Sequence, residues 1–512
     1  MGKKKKQKKS KKITKGRKIS NIIIRLLSFL ILIVLGVMIV LFLKNILELD
    51  MLPMKYFKIG ALVLIGFELL YALICINKKK AGVLLILIDI LAIGLIVVQW
   101  FGVSYIDKTQ TFLKDNLMKE YEADEFYLVA NADSSLSKAK ELDGGEVYYN
   151  VDTDHYKKLK EGLKKLTSAK IEETESLADS LVKLSYPENV VILNSGIYQS
   201  ITDNDPVYGE HLKIIDTITV YVKKTKKEKN ENAAAITTEP FIIYLSGIDT
   251  RGKNLVKKSL SDVNMLITIN PKTKTILLVS IPRDSYVQLH GYRGKDKLTY
   301  AGSLGGVELS KATVEDLMGV HANYYARVNF KAVINLVDAV GGVTVEEDPE
   351  VKKRFKAYTN GGCWIEPGVN NFNGECALAF ARERYHYSKG DMQRNINQQK
   401  VLKALFNKMS TNTYTVAHYT DLLNALDGTF ETDMSMEEIA ALVKFQLNDM
   451  SPWTFESQNV VGGTGRTTTL SSGSTELSVV YPNQNSINEA KEAIRKVIAG
   501  ESLHPEENTT TE

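Results

Sequence analysis

The 512-residue chain holds three cysteines and seven histidines, and none of them falls in a spacing that binds zinc. There is no His-Glu-x-x-His and no Gly-x-Ser-x-Gly nucleophile elbow, so two common hydrolase chemistries are excluded. Gly462-Gly463-Thr464-Gly465-Arg466 lacks the Lys-Ser/Thr that completes a phosphate-binding P-loop and reads as a flexible loop. His386 reads as a surface histidine. Residues 1–18 contain no acid, only ten lysines and one arginine, a charge of +11. The whole chain carries +5, so everything after Lys18 sums to −6. Basic character is confined to a short tail, and the bulk does not suit a nucleic-acid partner.

Three long apolar runs follow the tail: Ile22–Leu43, Ile59–Ile76 and Ala81–Val103. Each has the length needed to cross a hydrocarbon layer of ~30 Å as a helix. The first is too long for a cleavable signal and has no small-residue cleavage site after it. The lysine-rich start and Asn77-Lys78-Lys79-Lys80 mark the cytoplasmic side, which predicts that everything beyond Val103 is extracytoplasmic. Glu68 and Asp89 lie at matching depth in the second and third runs. They either share a proton or hydrogen-bond separately to neighbouring helices. Arg25 can snorkel from the inner edge. Cys75 is intramembrane, whereas Cys363 and Cys376 fall outside and are candidates for a disulfide.

The predicted organisation is a basic tail (1–19), an all-α three-helix anchor (20–103), a small α+β accessory domain (104–222), a linker (223–239), a layered α/β catalytic domain (240–500) and a disordered tail (501–512). The accessory stretch shows no cluster of His, Cys or acid. In the main domain Phe241–Leu245 is a buried strand leading to Gly247-Ile248-Asp249-Thr250-Arg251. Asn264–Ile269 and Thr275–Ser280 flank a turn, so Asp262 before this hairpin and Arg283 after it return to one edge. Helices are expected at Gly306–Met318, Phe330–Val340, Ser435–Leu447 and Ile487–Ala499.

Ala381-Arg382-Glu383-Arg384-Tyr385 and Gly390–Gln399 sit between apolar flanks. Arg394, Gln398 and Leu402 recur at helical spacing, and Leu402, Leu405, Phe406 and Met409 continue the stripe, so Arg394 points inward. An inward arginine needs an anion. Glu383 and Asp391 supply one if the cluster is a structural ion-pair network. Three arginines against two carboxylates leave positive charge over, which favours a phosphate site. Arg251 and Arg283 reach the same mouth, with Asp249 and Asp262 at its edge. Two carboxylates beside phosphate call for a divalent cation, so the composition suggests pyrophosphate with Mg²⁺. The plainer alternative pairs Asp249 and Asp262 with Arg251 and Arg283.

Several motifs, in order over roughly 240–410, resemble the LytR–CpsA–Psr family of membrane-anchored cell-wall enzymes, found mainly in Gram-positive bacteria. They are Gly247 with Asp249, Ser261-Asp262, Pro282-Arg283-Asp284, Lys297-Leu298-Thr299-Tyr300-Ala301, Val337-Asp338 with Gly341-Gly342-Val343, Ala379–Arg384, and Gly390-Asp391-x-x-Arg394 with Gln398-Gln399. Three spans and an accessory domain resemble the capsule-type branch. The resemblance implies transfer of a glycopolymer, such as capsule or teichoic acid, from an undecaprenyl-pyrophosphate carrier to peptidoglycan as a phosphodiester. It implies that Arg283, Arg382, Arg384 and Arg394 grip the pyrophosphate, with Lys297 and Gln398 beside them and Asp391 in support. It also implies that Asp249 and Asp262 place Mg²⁺, either serving as base. Leu260 stands where the family often has arginine, which puts Arg251 forward as a substitute. A non-catalytic membrane protein that binds or assembles lipid-linked polymer is the alternative.

Overall fold

The computed structural model describes residues 2–77, 83–117, 121–150, 156–223, 235–249, 255–357, 362–411, 419–472 and 475–504. The chain forms two units. One comprises residues 1–113 and 436–451, the other 114–435 and 452–512.

In the first unit α1 (Gly2–Leu49), α2 (Met54–Ile76) and α3 (Val83–Leu117) are the predicted apolar helices. The third continues as helix past Val103, so the accessory sheet starts later than composition indicated. Pro53 stops α1 from continuing and opens α2. Leu35, Ile39, Tyr71, Leu85 and Ala92 fill the inside of the bundle. Leu26, Leu62 and Leu73 face outward, as membrane-spanning helices require. Asp89 accepts from Ser28 Oγ at 2.8 Å and from Tyr71 Oη at 2.5 Å, while Tyr71 Oη also lies 2.9 Å from the Ser28 carbonyl. Glu68 instead packs against Gly36, where any Cβ would collide with its carboxylate. The two intramembrane acids therefore hydrogen-bond or pack separately on other helices. A later helix (Met436–Asp449) belongs to the same unit, with Lys444 Nζ 2.6 Å from Asp50.

The second unit begins with an accessory sheet. Its elements in chain order are β1 (Tyr121–Asn131), β2 (Glu146–Tyr149), α4 (Tyr156–Leu166), β3 (Lys170–Glu173), α5 (Leu177–Lys183), β4 (Val190–Asn194), α6 (Ser195–Asn204), α7 (Pro206–Glu210) and β5 (Leu212–Lys223). The strands lie in the order β3-β2-β4-β1-β5. All five residues of central β4 are buried, which explains the unbroken apolar run of its first four, Val190 to Leu193. Leu159 and Leu163 of α4 cover one face of the sheet, and Leu177, Ile197 and Ile201 of α5 and α6 cover the other.

The main domain contains β6 (Phe241–Ile248), β7 (Ser261–Asn270), β8 (Thr275–Ile281), β9 (Tyr286–Gln288), β10 (Lys295–Lys297), α8 (Leu298–Met318), β11 (Tyr324–Asn329), α9 (Phe330–Ala339) and β12 (Val343–Glu346). It continues with β13 (Phe355–Lys356), β14 (Trp364–Ile365), β15 (Val369–Phe372), α10 (Gly374–Arg382), α11 (Asp391–Thr411), α12 (Tyr419–Leu426) and β16 (Phe430–Thr432). After the helix in the first unit come β17 (Thr454–Asn459), β18 (Gly462–Thr468), β19 (Glu476–Pro482) and α14 (Gln484–Ala499); the Met436–Asp449 helix counts as α13. A six-stranded sheet ordered β16-β11-β6-β7-β8-β17 is the core. The strands β6, β7 and β8 run antiparallel, whereas β11 and β17 add parallel at the two sides. Val307, Val314 and Met318 of α8 and Ile487 and Ile494 of α14 pack on one face. Leu402 and Phe406 of α11 pack on the other, giving the predicted α/β layers.

Four expectations need correcting. The segment Gly462–Arg466 is a strand paired with β19 rather than a loop. Two of its glycines are there for packing, since a Cβ at Gly462 would meet the Tyr481 carbonyl and one at Gly465 would lie 2.7 Å from Tyr481 Cε2. The helix expected from Gly306 starts eight residues earlier, at Leu298, and Gly306 (φ 73°) is a kink inside it. Met409 is 39% exposed and lies beyond the core stripe. Glu383, offered as a partner for the arginines, turns its carboxylate to the backbone, as described below. The predicted linker and the C-terminal tail fall mostly outside the described residues.

Candidate functional site

A bulge shapes the first edge of the site. Gly247 of β6 pairs with Val263 of β7, but Ile248 pairs with Ser261, so Asp262 is the extra residue. A bulge re-aims one side chain out of the regular alternation. Gly247 is required there, because a Cβ would sit 2.7 Å from the Val263 side chain. Ser261, on the other side of the bulge, is tied down through Ser246 Oγ at 2.8 Å and Asn264 Oδ1 at 3.1 Å. Asp262 accepts from Arg283 Nη1 at 2.8 Å, the meeting that a hairpin between them enforces. Asp284 lies 3.6 Å from Arg283 Nε and 3.3 Å from Lys297 Nζ. The backbone N–H groups of Leu298 and Thr299 donate to the carbonyls of Ser285 and Arg283, each at 2.9 Å, which fixes this loop against the start of α8. Leu260 is buried with Tyr300 and Leu477, so this position contributes packing here.

The second edge comes from the end of α10 and the start of α11. Glu383 is fully buried and accepts from the N–H of Arg384 (2.9 Å) and Tyr385 (2.8 Å), with His386 Nδ1 3.3 Å away. It turns the chain out of the helix and presents Arg382 and Arg384 at the rim. Arg382 Nη2 lies 3.3 Å from Asp249 Oδ2, its guanidinium over the Phe330 ring at 4.9 Å. Asp391 bridges two arginines, with Arg384 Nη1 at 3.4 Å and Arg394 Nη2 at 3.0 Å. Arg384 Nη2 also donates to Tyr385 Oη at 2.9 Å. Gln398 stands one helical turn beyond Arg394 in α11, and its side chain makes no hydrogen bond among the described residues. Arg251 lies outside the described residues.

The electrostatics bind these groups into one cluster. Arg394 is only 8% exposed. Burial pulls its pKa below the ordinary guanidinium value, Arg283 adds to the effect, and Asp391, Asp262 and Asp284 oppose it. Burial alone would push the Asp284 carboxyl up, yet Arg283, Lys297 and Arg394 hold it below the usual range. Burial works against the charge on Arg384 too, but Tyr385 and Asp391 raise its pKa above the ordinary value. Five cations (Arg283, Lys297, Arg382, Arg384, Arg394) face four carboxylates (Asp249, Asp262, Asp284, Asp391), an excess of one positive charge. Buried Arg394 Nε has no hydrogen-bond partner among the described residues. A cationic cluster with a buried donor to spare is built for an anion.

The described residues contain no group of three or more His, Cys, Asp or Glu poised around a metal. Asp249, one residue past the end of β6, and Asp262, in the adjacent β7, offer two hard carboxylates. They fit magnesium only in its common mode, where phosphate oxygens complete the shell. Sequence reasoning underrated Asp284 and Tyr385, although both adjoin arginines it had picked out. Cys363 and Cys376 form a disulfide that ties α10, the helix carrying Arg382, to β14.

Residues 211–494 match the model of the LytR_cpsA_psr family. A polyisoprenyl-teichoic acid–peptidoglycan teichoic acid transferase, TagU of Bacillus cereus, is 33% identical over 256 residues, half of this chain and 79% of that protein. A protein of the same name from Enterococcus faecalis is 32% identical over 261 residues, covering 51% of this chain and 81% of the relative. Among solved structures, B. subtilis TagV is 26% identical with a TM-score of 0.42, over 52% of this chain and 99% of that one.

Proposed function

The chain belongs to the LytR_cpsA_psr family, and from that premise we propose that it moves a glycopolymer from an undecaprenyl-pyrophosphate carrier to peptidoglycan. The observation that carries this reading is the cationic cluster and the buried, unused donor of Arg394, within residues 211–494 that match the family model. Pyrophosphate is the anion that a lipid carrier and a transferred phosphate have in common, and planar guanidinium groups match its oxygens two at a time.

In the reaction a hydroxyl of the acceptor sugar attacks the phosphorus that bears the polymer. The new P–O bond forms as the bond to the bridging oxygen breaks, and that oxygen leaves on undecaprenyl phosphate. The hydroxyl proton passes to Asp262 or Asp249. Arg283, Arg382, Arg384 and Arg394 orient the two phosphates and offset the charge that grows on the leaving oxygen. Asp391 holds Arg384 and Arg394 at one spacing, and Lys297 completes the cationic wall. Asp249 and Asp262 would hold magnesium, which supplies charge stabilisation at the phosphate oxygens when bound.

The three apolar helices anchor the chain in the membrane, with the lysine-rich terminus in the cytoplasm and the catalytic domain outside. The Cys363–Cys376 disulfide supports an oxidising surrounding for that domain. The decisive experiment is Arg384→Ala in the full chain, supplied with lipid-linked polymer and peptidoglycan acceptor. Transfer should be abolished while the melting profile stays intact, and unchanged transfer would refute the role. Retained lipid binding without release of undecaprenyl phosphate by the unsubstituted chain would instead favour a binding protein.

A further inference from the structure

The stretch that leads into Asp262 belongs to no strand until Ser261. Residues 255–260 run between the accessory domain on one side and the start of α8 on the other, and Ser259, Leu260 and Ser261 are buried between them. On the accessory side, β1 pairs with β5 along its length but with β4 only from Phe126 onward. The Ala123 carbonyl, beyond the point where β4 stops, accepts from the Lys257 N–H at 2.9 Å. Asn194, the last residue of β4, caps α6. Its Oδ1 accepts from the Gly196 N–H at 3.0 Å, and its Nδ2 donates to buried Asp124 of β1 at 2.8 Å.

Those bonds set the first turns of α6 against the stretch. Ser195 Oγ lies 3.4 Å from the Lys258 carbonyl oxygen, and Gln199 Oε1 accepts from the Leu260 N–H at 3.4 Å. Both are long for hydrogen bonds, so close packing is the stronger restraint. A Cβ at Gly196 would lie 3.0 Å from Ser303 Cα and 3.1 Å from the Lys258 carbonyl carbon. Glycine lets α6 approach both backbones at once. The opposite side is as tight. The Ser259 N–H donates to the Gly302 carbonyl at 3.2 Å, and a Cβ at Gly302 would collide with the Ser259 carbonyl. Buried Arg327 of β11 donates from Nη2 to Ser259 Oγ at 3.3 Å. Ser200 Oγ lies 2.9 Å from Ser303 Oγ and joins α6 to α8 directly. Asp262 follows two residues after Leu260 and is the bulged residue, so no regular pairing fixes it. Its place is inherited from the stretch that α6 and α8 grip.

We propose that the accessory domain is a positioning element for the site. Gly196 and Gln199 of α6 set the approach of the Lys257–Ser261 backbone and, through it, the place of the Asp262 carboxylate against Arg283. Both act through Asp262 rather than on substrate. The inference rests on the transferase reading above, and it adds two residues from outside the 211–494 stretch that matches the family model.

The test uses the full chain in detergent with Gly196→Ala, Gln199→Leu and Gln199→Glu. The added methyl at 196 forces Ser303 or Lys258 to give by a few tenths of an ångström. Leucine at 199 keeps the bulk and loses the acceptor, and glutamate restores it. Gly196→Ala should lower kcat for transfer about tenfold and Gln199→Leu about threefold, with the donor KM changed less than about twofold. Gln199→Glu should return to the parent's rate. In hydrogen exchange, the amides of Leu260, Ser261 and Asp262 should exchange about threefold faster in Gln199→Leu, recover in Gln199→Glu, and leave β4 and the centre of β7 unchanged. A merely structural contact would lower the melting temperature and spread faster exchange through both domains without separating kcat from KM. That result, or an unchanged kcat in both Gly196→Ala and Gln199→Leu, overturns the proposal. If Gly196→Ala fails to fold, the two substitutions at half-buried Gln199 decide alone. Should the parent transfer nothing, the transferase reading fails by itself and exchange still decides. Inorganic pyrophosphate should slow exchange at Leu260–Asp262 in the parent and do so less in Gln199→Leu; equal slowing, or none in either, ends the positioning role.

Discussion

Asp391→Asn isolates the central electrostatic claim, because one carboxylate serves two arginines. Its oxygens lie 3.4 Å from Arg384 and 3.0 Å from buried Arg394. The substitution keeps the shape and removes one negative charge, so five cations would face three carboxylates. Loss of a charged hydrogen bond costs about 1.5–3 kcal/mol, and a stranded buried charge costs more. Solvent reaches Arg384, so its share is small. A net cost of about 2 kcal/mol corresponds to a fall of roughly 4–8 °C in the melting of the catalytic domain. Inorganic pyrophosphate should restore more of that loss in the variant than it adds to the unsubstituted chain. The added anion replaces the missing charge and stabilises by mass action. Transfer should nevertheless fall at least tenfold, since a shared carboxylate no longer fixes the spacing of the two guanidinium groups. Thermal melts with and without pyrophosphate, alongside a transfer assay, decide the matter. An Asp391→Asn protein that melts normally, or gains no more from pyrophosphate than its parent, would show that the cluster is not anion-seeking.

Three further outcomes follow from the same geometry. Asp284, held by Arg283 and Lys297 below the ordinary carboxylate pKa, contributes stability above that ordinary value and loses it as pH falls through the lower folded value. Asp284→Asn should therefore be less stable at neutral pH, with the gap closing below about pH 4, read from denaturant midpoints across pH. Gly247→Val should cost about 1–3 kcal/mol by overpacking against Val263 and should reduce transfer more than stability alone explains, because Asp262 sits in the bulge; circular dichroism melts and transfer rates separate the two. Replacing Cys363 and Cys376 together by serine should cost about 3 kcal/mol for a loop of this length and expose the β13–β14 hairpin to protease earlier than the β-sheet core.

Much of the site was legible because its signals are local. The recurrence of Arg394, Gln398 and Leu402 at helical spacing placed the arginine inward, and it is buried. The strands Asn264–Ile269 and Thr275–Ser280 brought Asp262 to Arg283 through hairpin closure alone. What escaped depends on partners distant in sequence. The pattern cannot tell whether Glu383 faces a guanidinium or a backbone N–H; here the N–H groups of Arg384 and Tyr385 claim it. The glycines of Gly462–Arg466 resemble a loop until Tyr481 is known to lie against Gly462 and Gly465. Leu298–Leu304 are rich in small residues, so helical periodicity became visible only after the Gly306 kink. The accessory domain shows the same limit. Its α6 meets the segment before Asp262 through Ser195 and Gln199, and meets α8 through a Ser200–Ser303 hydrogen bond of 2.9 Å. No periodicity in 104–222 announces that role.

The pairing of each site arginine with a carboxylate bears on how the proposed reaction begins. Arg283 rests on Asp262 and Arg382 on Asp249, so a pyrophosphate has to compete for guanidinium groups already engaged. Taken alone, the nine charged side chains carry one positive charge. A pyrophosphate diester brings about two negative charges and reverses that sign, while a dication beside it restores the original balance. On the proposed reading the carboxylates therefore exchange arginine for cation as the arginines exchange carboxylate for phosphate. For the half-buried Arg283–Asp262 pair either exchange alone strands a charge away from solvent; together they strand none. Arg394 is the exception, since Asp391 is held by two arginines and can release one without losing both. On that reading Arg394, with a buried donor that has no hydrogen-bond partner among the described residues, is one point at which an incoming phosphate gains a contact without breaking one.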